Sequence, residues 1–187
     1  CEIFLMQLAS QSQLSVWAYY GTAKFNWTPA VTGLTVALFG TLMVLTQGVL
    51  SGRMIARFGP VKTAVVSLVF AVPSFLTLAF APSTAVALIG MAIGAVPGMC
   101  FPAMQQLMSA RIAEDAQGEL QGAIASVVSL TAIIGPPLMT GVFAAYADAR
   151  GTVFPGAPFV LAAGLMAGAV AVLAITLARH GRLPASA

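Results

Sequence analysis

The chemistry this chain can offer is concentrated in one short polar stretch near its start. Gln7, Ser10, Gln11, Ser12, Gln13, Ser15 and Trp17 interrupt an otherwise apolar run. On a helix turning 100° per residue, Gln7, Ser10, Gln11, Gln13 and Trp17 share one broad face, with Leu5, Leu8, Val16 and Tyr19 opposite. An amide in hydrocarbon is costly without a partner, so this face must meet protein or a watery cavity. One reading is the wall of a substrate cavity, where glutamine amides bond polar groups and Trp17 stacks on an aromatic or apolar ligand. The other is adhesion between helices, a common use of Ser and Gln in membranes. Both stand for the cluster; for any single glutamine, adhesion is the simpler account.

Titratable groups avoid the middle of every apolar run. Glu2 and Glu119 sit at run edges, Asp148 falls in a linker, and His180 lies near the C-terminal end. There is no paired carboxylate, no metal-ligand cluster and no Ser/His/Asp set at membrane depth. We therefore expect no catalytic residue, no metal site and no enzyme. A proton-coupled pump needs a protonatable group on its path, and this chain alone offers no obvious one. Cys1 and Cys100 form no motif and read as small packing residues.

The elements that carry these residues follow from composition. Hydrophobic residues make up 59% of the chain and charged ones 7%, with a mean hydropathy of +0.97. A soluble domain carries roughly a quarter charged residues, and a β-barrel alternates polar and apolar positions in short segments. Neither pattern is present, so the fold class is all-α, a polytopic membrane protein. The net charge of +3 does not indicate nucleic acid, because the cations fall in linkers where membrane topology explains them. Six spans of about 20 residues can be drawn, at 3–21, 30–50, 63–81, 84–107, 120–146 and 158–178. Linkers 24–29 and 81–83 are tight; 53–62, 109–119 and 147–157 are longer and carry charge.

The cations set an orientation. Arg53, Arg57, Lys62, Arg111, Arg179 and Arg182 collect on one side, Lys24 and Arg150 on the other. The richer side is expected in the cytoplasm, with both chain ends. The chain starts at Cys1, and an apolar run begins at once. We weigh a piece of a longer protein against a lipid-bearing N-terminal cysteine and favour the piece, since a membrane span follows directly.

Glycines at four-residue spacing mark expected close helix packing: Gly90, Gly94 and Gly98, then Gly48 with Gly52, Gly118 with Gly122, and Gly164 with Gly168. Pro73, Pro97, Pro102, Pro136 and Pro137 fall inside spans and invite kinks. The Gly135-Pro136-Pro137 cluster stands out as a hinge or packing element.

Two stretches resemble a known family. Gly52-Arg53-Met54-Ile55-Ala56-Arg57-Phe58-Gly59-Pro60-Val61-Lys62 resembles the cytoplasmic-loop signature of the major facilitator superfamily, G-x-x-x-D-R-x-G-R-K. Ala56 replaces the Asp, and Pro60 and Val61 replace the basic pair, as is usual in the motif's second copy. Phe101 to Gln105, Met108-Ser109, Gln117 to Gly122 and Ile134-Gly135-Pro136 resemble the tenth and eleventh helices of tetracycline/proton antiporters. Gln7, Gln11, Trp17, Gly21, Phe25 and Trp27 match the seventh helix, and Phe39, Gly40 and Gln47 the eighth. Those exporters carry a His where this chain has Met43 and an Asp where it has Ala71, both linked to proton coupling or substrate handling.

The resemblance implies the C-terminal six-helix bundle of a twelve-helix transporter, with an N-terminal half absent. It implies a small-molecule substrate bound between the halves, drug export by alternating access, a proton gradient as energy source, no cofactor, and residence in the bacterial inner membrane. Tetracycline itself is less favoured than a relative's drug, given Met43 and Ala71. Gln7, Gln11, Gln13 and Trp17 are expected in the cavity wall, with Gln47 a further candidate. Gly52, Arg53, Arg57, Gly59 and Lys62 are expected to shape the cytoplasmic loop. The rivals are a sugar or metabolite transporter of the same fold and a non-transporting remnant.

Overall fold

Helix starts are written into the chain by their caps. Thr28 and Ser83 hold extended backbone, and their hydroxyls face the N–H groups of Val31 and Val86, a typical N-cap arrangement. Pro29 and Pro60 occupy first-turn positions, where the absent N–H is no loss. The computed structural model describes residues 2–110, 116–147 and 153–180. Cys1, Arg111, Asp148, Arg150 and Arg182 lie outside the described residues.

The helices are α1 (Glu2–Phe25), α2 (Pro29–Leu45), α3 (Ser51–Phe58), α4 (Pro60–Phe80), α5 (Thr84–Ile93), α6 (Cys100–Ser109), α7 (Gln117–Ala147) and α8 (Ala157–His180). A π-turn at Thr46–Leu50 joins α2 to α3, and a 3₁₀ turn at Val96–Met99 lies between α5 and α6. These joins make two long rods, Pro29–Phe58 and Thr84–Ser109. The described residues thus form six helical rods and no strand. Five rods are long and apolar enough to cross a membrane. The remaining one, α1, is about 36 Å long but carries the polar stretch.

The expected loop at 53–62 is helical instead. Gly52, Arg53 and Arg57 all lie within α3, and the chain breaks only at Gly59. Gly59 takes φ 81° and ψ 161°, a conformation open to glycine and strained for other residues. The turn glycine is therefore Gly59, not Gly52. Arg, Met, Ile and Ala favour helix, and a continuous helix satisfies its own backbone groups at the membrane edge. Lys62 lies inside α4, one turn past the break.

The core is built on α1, α4 and α8, around Ala9, Val16, Tyr20, Leu68, Ala71, Phe75, Phe159, Ala162 and Met166. Half of the apolar stretch of α4 is buried, against 11% of that of the rod Pro29–Phe58 and 17% of that of α7. Those two rods therefore flank the bundle. Of the expected packing glycines, Gly90 and Gly94 face α4, where an added Cβ would lie 3.1 Å from Thr77 and 2.7 Å from the Ser74 hydroxyl. Gly98 faces Met43 of α2, and Gly135 faces Gln11 of α1. Gly48, Gly52, Gly118, Gly122 and Gly164 face open space, and Gly168 makes only an ordinary contact with Leu5. Spacing alone marks a smooth helix face; a neighbouring helix must also lie against it.

Candidate functional site

The polar face of α1 divides among four surroundings. Ser10 donates to the Met6 carbonyl at 2.9 Å and Ser12 to the Ala9 carbonyl at 2.7 Å. Both hydroxyls are thus spent on their own helix, a usual fate of serine in apolar surroundings. Gln11 turns to α7, where a Cβ on Gly135 would come within 2.3 Å of its Cγ. Pro136 follows inside α7 and is half-buried. Gln7, Ser10 and Gln13 line a cleft of about 180 Å³ together with Phe39, Met43 and Gln47 of the second rod.

The far wall of this cleft comes from Ser74 and Phe75 of α4 and from Gly94, Pro97, Gly98 and Phe101 of the fourth rod. Two irregular turns meet here. Gln47 sits in the π-turn and Gly98 in the 3₁₀ turn, and a Cβ on Gly98 would lie 2.9 Å from Met43 Cε and 3.5 Å from Gln47 Nε2. Pro97 has no N–H to donate, which favours the local departure from α geometry. π-turns recur at functional sites. The hydroxyl of Ser74 is engaged by the Gly90 carbonyl at 2.9 Å.

Gln13 differs from its neighbours. Its Nε2 is buried and meets no acceptor among the described residues. A buried donor without a partner costs about 1–3 kcal/mol. The same side chain also lines a second cavity of about 150 Å³, with Trp17, Ala18, Thr32, Val36 and Met91 among its walls. Neither cavity has an Asp, Glu, Lys, Arg or His among its described lining.

Trp17 is 5% exposed and belongs mainly to the core. Its indole Nε1 donates to Thr35 Oγ1 at 2.9 Å, and that hydroxyl donates to the Thr32 carbonyl at 2.8 Å. Its ring centroid lies 5.4 Å from that of Trp27 and 6.5 Å from that of Phe159. Trp27 folds back on Gly21, where a Cβ would come within 2.0 Å of its ring, and its Nε1 donates to Thr84 Oγ1 at 2.9 Å. Below this cluster, Tyr20 donates to the Leu78 carbonyl and Lys24 Nζ to the Ala79 carbonyl at 3.0 Å. These groups cap the last turn of α4, where a cation is favourable.

The sequence-predicted residues therefore separate. Gln7, Gln13 and Gln47 line one cleft, Gln11 packs on α7, and Trp17 offers only a ring face to the smaller cavity. Arg53, Arg57 and Lys62 are exposed and line neither cavity; the Arg57 guanidinium lies 5.5 Å from the Phe58 ring centroid. Met43 lines the cleft, whereas Ala71 is fully buried in the core. Phe39, Pro97 and Phe101 were not picked out as lining residues. The signal available was the polar interruption at Gln47 opposite the Pro-Gly pair at 97–98.

Comparison with known proteins gives the family. The profile of the Major Facilitator Superfamily matches residues 3–186. The class C tetracycline resistance protein of Escherichia coli is 34% identical over 78% of this chain and 37% of its own length. The class E tetracycline resistance protein of Escherichia coli is 29% identical over 91% of this chain and 41% of its own length. The chain thus spans less than half the length of these curated relatives. Among solved structures, the human organic anion transporter MFSD10 (TETRAN) superposes with a TM-score of 0.77 at 20% identity, over 91% of this chain and 39% of that one. This all-helical membrane chain belongs to the Major Facilitator Superfamily.

Proposed function

We propose that this chain forms the C-terminal six-helix bundle of a secondary transporter that exports drug-like small molecules, tetracycline-type compounds among them. The observation that carries the reading is the cleft holding Gln7, Gln13 and Gln47, with the Nε2 of Gln13 left for a ligand. Similarity to tetracycline resistance proteins supports export and residence in the bacterial inner membrane. The cation distribution supports cytoplasmic chain ends. A six-helix N-terminal half would close the other side of the cleft, and the halves would rock to expose it alternately. Proton entry would drive export; no titratable residue lines the two cavities that share Gln13, whereas Glu2 lines a third at the start of α1.

The test is expression of the complete gene in a drug-susceptible bacterium. We expect raised resistance to tetracycline or another compound of a drug panel, abolished by a protonophore. Unchanged susceptibility to the whole panel, with the protein present in the membrane, overturns the reading. Resistance that persists with the proton gradient collapsed overturns the coupling alone.

A further inference from the structure

We infer that the smaller cavity is a side compartment of the binding site, taking one apolar ring of an uncharged amphipathic molecule whose oxygen acceptor is held by Gln13. This inference rests on the transport reading and narrows its substrate class.

The two cavities share Gln13, Leu14 and Phe39 as lining, so a molecule seated between them passes the Gln13 amide. Beyond that point the walls are Trp17, Ala18, Thr32, Val36 and Met91. Trp17 has committed its N–H to Thr35 and so presents a ring face rather than a donor. The volume of about 150 Å³ suits a single ring, since apolar protein cavities of about this size accept benzene.

The hydroxyls lining the larger cleft are already used, Ser10 on Met6 and Ser74 on Gly90, and Thr32 lines only the smaller cavity. The buried Nε2 of Gln13 is the donor left over at the junction. With no charged group in either described lining, the acceptor it meets is best neutral, a carbonyl or ether oxygen, because an ion would enter without compensation. α2 supplies Thr32, Val36 and Phe39 to this lining, and Val36 is 54% exposed, so the compartment is open on that side.

Binding to the intact protein in lipid nanodiscs tests this with two probes of similar shape, phenyl butyl ketone and pentylbenzene. Each dissociation constant is taken relative to wild type, which cancels partition into lipid. Gln13→Leu is expected to weaken the ketone about tenfold and to spare pentylbenzene, because only the ketone loses a hydrogen bond. Gln13→Met, closer to glutamine in length, must repeat that result. Val36→Phe, which fills the compartment, is expected to weaken both probes. An unchanged ketone affinity in Gln13→Leu, equal weakening of both probes by it, or no effect of Val36→Phe overturns the inference. Such a result with drug export intact leaves the transport reading standing. Selective loss of the ketone in a protein that exports nothing overturns the export reading instead.

Discussion

The two halves of α1 carry similar numbers of polar groups and handle them in opposite ways. From Trp17 to Lys24, the long polar side chains apart from the exposed Tyr19 reach a partner on another element: Trp17 on Thr35, Tyr20 on Leu78, Lys24 on Ala79. These contacts sit on an aromatic cluster that also takes in Phe25, Trp27 and Phe159. From Gln7 to Gln13, the serines bond within the helix, Gln11 packs on a glycine, and the Nε2 of Gln13 is left unmatched beside a cleft. In a low-dielectric interior a polar group serves stability only when its partner is fixed in the same chain. The unmatched amide is thus informative because the paired groups show what a structural role looks like.

Three substitutions in α1 probe that contrast and a fourth tests the packing at the α4 end that receives Lys24, each read as a thermal-unfolding shift followed by helical circular dichroism in detergent. The largest effect is expected from Trp17→Ala, which removes a buried ring and its hydrogen bond and should cost about 3–5 kcal/mol. Next comes Gly156→Ala. A Cβ there would lie 2.2 Å from the backbone oxygen of Ala79, and the overpacking should cost about 1–3 kcal/mol. Tyr20→Phe removes the donor to the Leu78 carbonyl while keeping the ring, so the loss should be about 1 kcal/mol. The smallest effect is expected from Gln13→Leu, within about 1 kcal/mol and in the stabilising direction, since it replaces an unmatched donor by an apolar group. A Gln13→Leu loss as large as that of Trp17→Ala would erase the contrast and make Gln13 a structural residue. A neutral Tyr20→Phe would blunt it from the other side.

Much of the architecture was legible before any coordinates. Long apolar runs separated by charges permit little besides helices in a bilayer, and Thr28-Pro29 and Ser83 announce two of their starts. What stayed hidden was continuity. A stretch with three cations between 53 and 62 reads as a loop, yet the helix runs to Phe58, because Arg stems lie comfortably along a helix at the membrane edge. The π-turn bearing Gln47 and the 3₁₀ turn bearing Gly98 were equally invisible, since they arise where two rods cross. Glycine spacing misled at Gly48, Gly118 and Gly164 because periodicity reports a small face without naming a neighbour.

Hydropathy and charge were enough to establish an all-α membrane chain, because backbone groups in hydrocarbon must bond within the segment itself. They were also enough to single out the start of the chain as polar beyond what a lipid-facing helix tolerates. They could not say which glutamine meets which surface. On a helical wheel Gln11 and Gln13 lie at opposite edges of the broad polar face, about 160° apart, and only the placement of Gly135 beneath one and of Phe39 beside the other names their neighbours. That division was decided by tertiary packing, since a side chain's partners depend on the neighbouring helix that fills the space around it.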